Sequence, residues 1–228
     1  MHAVYSAGRR LPVQSQQPGP ASEPPVSATT PNPAALRALR RKQGGFGLVE
    51  VSIAVVVTLI LAALVVPVIN GLLIENKVPT VAGEVQRYIG RIKTMAEASG
   101  ALPYANISTA NNLVRAMEDS NVIRVTGNTV AHNLGGSGTG TNGVITVGPA
   151  SLGGGANGSA FVVTFSNVSQ YACPSLATTL QGMAEQIVIN GETVKTLGTN
   201  NEQGTYNHLA AEEECVSGDN NTFAFTTR

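Results

Sequence analysis

From Val51 to Ile74 the chain runs 24 residues without a charge, and that run limits what the rest can be. As a helix it would span about 36 Å, more than the roughly 30 Å apolar core of a bilayer. A secretory signal peptide needs only about 7–15 apolar residues, closed by a small-residue cleavage site. This run is longer, and its distinctive small residues, Gly44 and Gly45, precede it. It therefore reads as a membrane anchor that stays with the protein.

Charge is sorted around this segment. The formal net charge is zero. Residues 1–45 nevertheless carry Arg9, Arg10, Arg37, Arg40, Arg41 and Lys42 against Glu23 alone, and acidic residues outnumber basic ones in the remainder. Basic flanks are kept in the cytoplasm, so the chain beyond residue 75 is expected on the far side of the membrane. Because the basic residues lie beside the membrane and the folded part is acidic, nucleic-acid binding by the subunit is not expected. In an exported segment, Cys173 and Cys215 read as a disulfide rather than as two reduced thiols. Such a bond would close a loop of about 43 residues and contribute about 4 kcal/mol in the chain-entropy account.

The chain divides by composition. Residues 12–33, PVQSQQPGPASEPPVSATTPNP, hold too little apolar bulk to fold, and 33–43, PAALRALRRKQ, suggests a short basic helix at the membrane surface. Beyond Glu75, Val78, Val81, Val85, Ile89, Ile92 and Ala96 recur at three- and four-residue steps. That amphipathic stripe extends the helix past the membrane, to a stop at Gly100. The predicted helix covers 46–99, with kinks at Pro67, Gly71, Pro79 and Gly83. Two helices with a break between them fit the same residues.

After residue 100 the pattern changes. TANNLVRAMEDS (109–120) predicts a short helix, and CPSLATTLQGMAE (173–185) another with Pro174 in its first turn. NVIRVT, GVITVG, AFVVTFSNV, EQIVI and TFAFTT are β-branched or aromatic runs divided by glycine turns, which predicts an antiparallel sheet. The expected fold class is α+β. A long hydrophobic N-terminal helix leads into a globular head, residues 100–228, of antiparallel sheet and short helices.

Candidate chemical motifs resolve into ordinary structure. GTGTNG (138–143) matches a dinucleotide fingerprint, but a strand follows it and Val163 stands where the acidic partner belongs, so a hairpin turn is expected. GGGANGS (153–159) has no lysine for a phosphate loop. EEEC (212–215) reads as a solvated acidic loop, and His2, His132 and His208 have no Cys or acidic partner at ligand or triad spacing. No catalytic residue, metal site or cofactor is expected, and the chain does not read as an enzyme.

The stretch GGFGLVE (44–50) is different: it resembles the processing site of type IV prepilins and the related pseudopilins. The resemblance implies a type IV pilin fold. It implies cleavage by a prepilin peptidase after Gly45, removal of the basic leader 1–45, and N-methylation of Phe46, with Gly44 on the leader side. Glu50 falls on the family's carboxylate position, and Pro67 where many such subunits have a helix-kinking proline. Cys173 and Cys215 would bracket a surface-exposed C-terminal region, as a cysteine pair commonly does in these pilins. A long leader and a 183-residue mature chain point to the type IVb subclass, most like prepilins of conjugative thin pili and their enteric relatives. Family filaments serve cell adhesion, conjugation or secretion.

Glu50 carries the main question, since a carboxylate at the centre of a membrane helix costs roughly 2.5–3.5 kcal/mol. The resemblance implies a compensation. Once Phe46 becomes the N-terminus, Glu50 would neutralise the Phe46 amine of a neighbouring subunit in a filament core. Expected partners are the peptidase, identical or related pilin subunits, and an inner-membrane assembly platform. The expected location is the inner membrane in a single pass, head in the periplasm, and then an extracellular pilus. A major pilin, a minor pilin, a secretion pseudopilin, and more distantly a signal-anchored periplasmic binding domain whose Glu50 merely snorkels, all remain open.

Overall fold

The computed structural model describes residues 47–96, 100–198 and 204–228. Contacts divide the chain into two units, residues 1–51 and 52–228. In the first, the described residues are the start of helix α1 (Leu48–Ala96). No break separates the two halves of α1, so the single-helix reading holds over the two-helix alternative.

Within the second unit the helix changes character along its length. The first buried position described on it is Gly71, where an added Cβ would stand 2.7 Å from the ring of Tyr171. The absent side chain is what lets the head approach there. Beyond it the predicted stripe is buried: Val78, Val81, Val85 and Ile89 are fully inside, with Ala82 and Tyr88 between them. Ile92 and Ala96 are half-buried against the same core. Polar side chains then tie the helix to the head. Gln86 Nε2 donates to Thr179 O at 2.8 Å, and Lys93 Nζ to Thr227 Oγ1 at 3.1 Å.

After α1 comes a π-helical turn, Thr109–Leu113, capped by Ser108, whose hydroxyl accepts from the Asn111 amide; it runs into α2 (Val114–Met117). The strands are β1 (Arg124–Thr126), β2 (Thr129–Ala131), β3 (Val144–Ala150), β4 (Ala160–Val168), β5 (Gln186–Ile189), β6 (Glu192–Lys195) and β7 (Asn221–Thr227). Helix α3 (Cys173–Leu180) precedes β5, and α4 (His208–Glu213) precedes β7. The seven strands form one antiparallel sheet in the order β1-β2-β3-β4-β7-β5-β6. Strand β7, the last in the chain, thus sits between β4 and β5 and closes the middle of the sheet.

Register explains the core. Ile145, Phe165, Phe223 and Ile189 lie opposite one another across β3, β4, β7 and β5, and Val147, Val163, Phe225 and Ile187 form the next row. All eight are buried. Phe165 meets Phe225 edge-on, with ring centres 5.8 Å apart, a favoured aromatic geometry. The alternation along β4 slips by one at a bulge between Phe165 and Val168, where Asn167 takes φ +54°.

Five predicted strands are present, though NVIRVT contributes only Arg124–Thr126. Strands β2 and β6 were not expected. Helix α3 stops at Leu180 rather than at 185. Lys195 on β6 is the reason: its buried Nζ donates to Gln181 O at 2.6 Å and Ala184 O at 2.7 Å, satisfying the carbonyls past the helix end.

Phe165→Ala is expected to destabilise the head by about 3–5 kcal/mol, the range for truncating a buried phenylalanine. Denaturant unfolding of the detergent-solubilised chain would read this as a lower midpoint with an unchanged slope.

Candidate functional site

Three regions deserve consideration as sites: the start of α1, its exposed apolar length, and the cystine-closed last third. In the first unit the Val51 amide donates to Gly47 O at 3.1 Å, opening the helix. Glu50 is exposed in its first turn, where a carboxylate complements the helix dipole. Gly44, Gly45 and Phe46 lie outside the described residues.

In the second unit, Val55, Val56 and Val57, and again Leu59, Ile60 and Leu61, follow one another around different sides of α1 and are all exposed. The most apolar 18-residue window of the helix has no buried residue, and α1 is long and apolar enough to cross a membrane. Thr58 does not interrupt this surface, because its hydroxyl donates back to Ala54 O at 2.8 Å. A soluble monomer rarely leaves so large an apolar surface uncovered. Lipid or other helices must cover it. Pro67 lies within this length of α1.

The last third is tied together twice. Cys173, at the first position of α3, bonds Cys215 just past α4, with Cα atoms 5.9 Å apart. Beside the bond, buried Asn221 donates to Val168 O at 3.1 Å and Val216 O at 2.9 Å, and accepts from the Val216 amide at 2.8 Å. Asn190 donates to Asn221 Oδ1 at 3.0 Å and accepts from the Thr222 amide at 2.8 Å. The two amides pin the loop after Cys215 to the middle of the sheet.

Other candidates take structural places. Residues 138–143 form the predicted turn, with Thr139 and Asn142 bridged. Gly143 there has φ +72°, and a Cβ would meet Gly135 O at 2.7 Å, so only glycine fits. Glu212 and Glu213 are exposed as expected, but they lie in α4 rather than in a loop, because Asn207 caps that helix by accepting from the Ala210 amide. His132 takes main-chain partners. It is buried, with Nδ1 accepting from the Leu134 amide at 3.0 Å and Nε2 at 2.8 Å from Ser166 O, the neutral tautomer with hydrogen on Nε2. Burial holds its pKa below the usual histidine value, outweighing the opposing pull of the Ser166 carbonyl and of Asp219.

The family model described as PilS N terminal matches residues 83–228, well over half of the chain. The chain belongs to the PilS family. The prokaryotic N-terminal methylation motif matches residues 40–66, which take in Gly45, Phe46 and Glu50, and the chain is a type IV prepilin. Prepilins are structural subunits and not enzymes. Among solved structures the prepilin is similar to the type IV b pilin from Salmonella typhi, at 24% identity over 64% of this chain and 96% of that one, with a TM-score of 0.45. It is also similar to TcpA, a type IV pilin from Vibrio cholerae El Tor biotype, at 16% identity over 68% and 99%, with a TM-score of 0.41. A search of curated proteins by sequence finds no match.

Two outcomes follow for the prepilin head. Removing the disulfide with Cys173→Ser and Cys215→Ser should cost about 4 kcal/mol for a loop of this length, read as a lower denaturant midpoint under oxidising conditions. Because His132 is harder to protonate folded than unfolded, stability is whole above about pH 6.5 and falls as pH drops toward its depressed folded pKa. Thermal unfolding at pH 7.5 and 5.0 should show a drop that narrows in His132→Gln.

Proposed function

We propose that this prepilin is the filament-forming subunit of a type IVb pilus. Residues 1–45 form a cytoplasmic leader, 46–99 the helix, and 100–228 the head that reaches the periplasm. A prepilin peptidase cuts after Gly45, Phe46 is methylated, and an inner-membrane platform moves subunits from the bilayer into an extracellular filament. The observation that carries the reading is the exposed apolar length of α1, headed by Glu50 and preceded by the basic stretch and Gly44-Gly45. A helix apolar on all sides can exchange lipid for neighbouring helices with little net loss, since both surroundings are apolar. Glu50 is the exception. It loses headgroup and water contacts on entering a helix bundle, and so requires a positive partner there. The new Phe46 amine of a neighbouring subunit, one helical turn away in sequence terms, supplies that charge and sets the axial register. The cystine between Cys173 and Cys215 fits a subunit whose C-terminal region must survive outside the cell.

Intact mass and N-terminal sequencing of the membrane-extracted chain test the first half of this proposal. With an active prepilin peptidase the chain should begin at Phe46, about one methyl group heavier than its sequence. A chain that keeps residues 1–45 would leave an anchored periplasmic domain in its place. Electron microscopy of sheared filaments tests the second half. Glu50→Val should be processed normally yet yield few filaments, and normal filaments from it would remove the charge-pairing role.

A further inference from the structure

Where α1 leaves its apolar length, a groove of about 720 Å³ opens between the helix and the head. One wall is Ile74, the last residue of the uncharged run, with Asn76, Lys77 and Thr80 in the turn and a half of helix that follows. The other is built by Arg124 on β1, the loop after β2, and Asp219 just before β7. Lys77 and Arg124 are both exposed; the Lys77 side chain makes no hydrogen bond or ion pair among the described residues, and Arg124 Nη2 donates at the long distance of 3.5 Å to Ser137 O. The acidic member is already engaged, because Asp219 Oδ2 accepts from the Gly136 amide at 2.9 Å. Glu75 is exposed nearby but does not line the groove.

Depth decides what meets these groups. With Val51–Ile74 tilted so that its roughly 36 Å fits the roughly 30 Å hydrocarbon core, Lys77 stands about 4.5 Å and Thr80 about 9 Å beyond Ile74 along the helix axis, and somewhat less along the bilayer normal. The headgroup layer on each side of a bilayer is roughly 5–8 Å thick. The groove mouth therefore lies at the level of lipid phosphates. We propose that it holds the phosphate-bearing headgroup of a phospholipid, with Lys77 and Arg124 as its cationic contacts, so that the head of the unassembled prepilin rests on the bilayer surface. This inference rests on the membrane-anchored reading above. It adds a docked state that the subunit must leave before assembly.

The test uses the full chain, reconstituted into vesicles of phosphatidylethanolamine and phosphatidylglycerol at 3:1 that also carry a phospholipid spin-labelled on its headgroup. A fluorophore is attached through Asn121→Cys, at the rim of the groove, with the native cystine left oxidised. Docking predicts strong quenching by the headgroup label, reduced at least about twofold when Lys77→Glu and Arg124→Glu are combined. Equal quenching in both proteins would overturn the docked state and leave the anchored reading intact. Extraction of the chain from the vesicles by alkaline carbonate would overturn both. Near-ultraviolet circular dichroism of the doubly substituted chain should match the parent, since both side chains are exposed.

Discussion

One helix has to satisfy two solvents, and the rest of the prepilin is arranged around that demand. Up to about residue 70, the described side chains of α1 are exposed on every side, and nearly all are apolar. From Val78 on, only one stripe is apolar, and that stripe is buried in the head. Backbone hydrogen bonds within the helix are what make the first half possible, because no other open structure satisfies its amides in hydrocarbon. The second half needs the head, since a narrow stripe of valine and isoleucine does not hold a helix in water without something to bury it. Gly71 marks the change of regime. The ring of Tyr171 occupies the place of the missing side chain, so contact with the head begins at the residue where full exposure ends.

The order of the strands follows from the same demand. A head hung on the end of a helix needs its core closed by strands that are far apart in the chain, and the central strand does most of this. Strand β7 lies between β4 and β5 and carries Phe223 and Phe225 into both buried rows. Reaching that place requires the chain to leave β6, form α4 and return. The cystine and the Asn190–Asn221 pair lie where that return joins the sheet. A disulfide limits how far the return can wander in the unfolded chain, and the two asparagines satisfy the amides and carbonyls that the turn would leave buried and unpaired.

Elements with strong periodicity were legible in the sequence. The stripe from Val78 to Ala96 and the run AFVVTFSNV appear where expected because each has enough residues for its period to stand out. Strands β2 and β6 have only three or four residues, too few to show alternation. For β6 a signal was nonetheless present: Asn190-Gly191, both at positive φ, is the pairing that a two-residue hairpin prefers. The end of α3 was not legible, because its cap is Lys195, fourteen residues on and in another element. Nor was the role of His132, whose partners Leu134 and Ser166 are main-chain groups that no side-chain spacing reveals. At the N-terminus the reverse holds: Gly45, Phe46 and Glu50 are legible as a motif, and it is the sequence pattern more than any packed geometry that marks them.

A processed prepilin would face a competition between two surroundings. Lipid covers α1 without ordering the head against anything but the bilayer surface, while a filament covers the same helix with copies of itself. Apolar burial hardly distinguishes the two, so the balance must rest on groups that are polar at the ends of the apolar length. Glu50 lies at one end and Lys77 at the other. In the proposed scheme the first gains its partner only in the filament, and the second gives up a lipid phosphate to reach it. The energy that drives assembly would then be concentrated in a few charges, and the long apolar helix between them would supply the strength of the filament more than its choice of state.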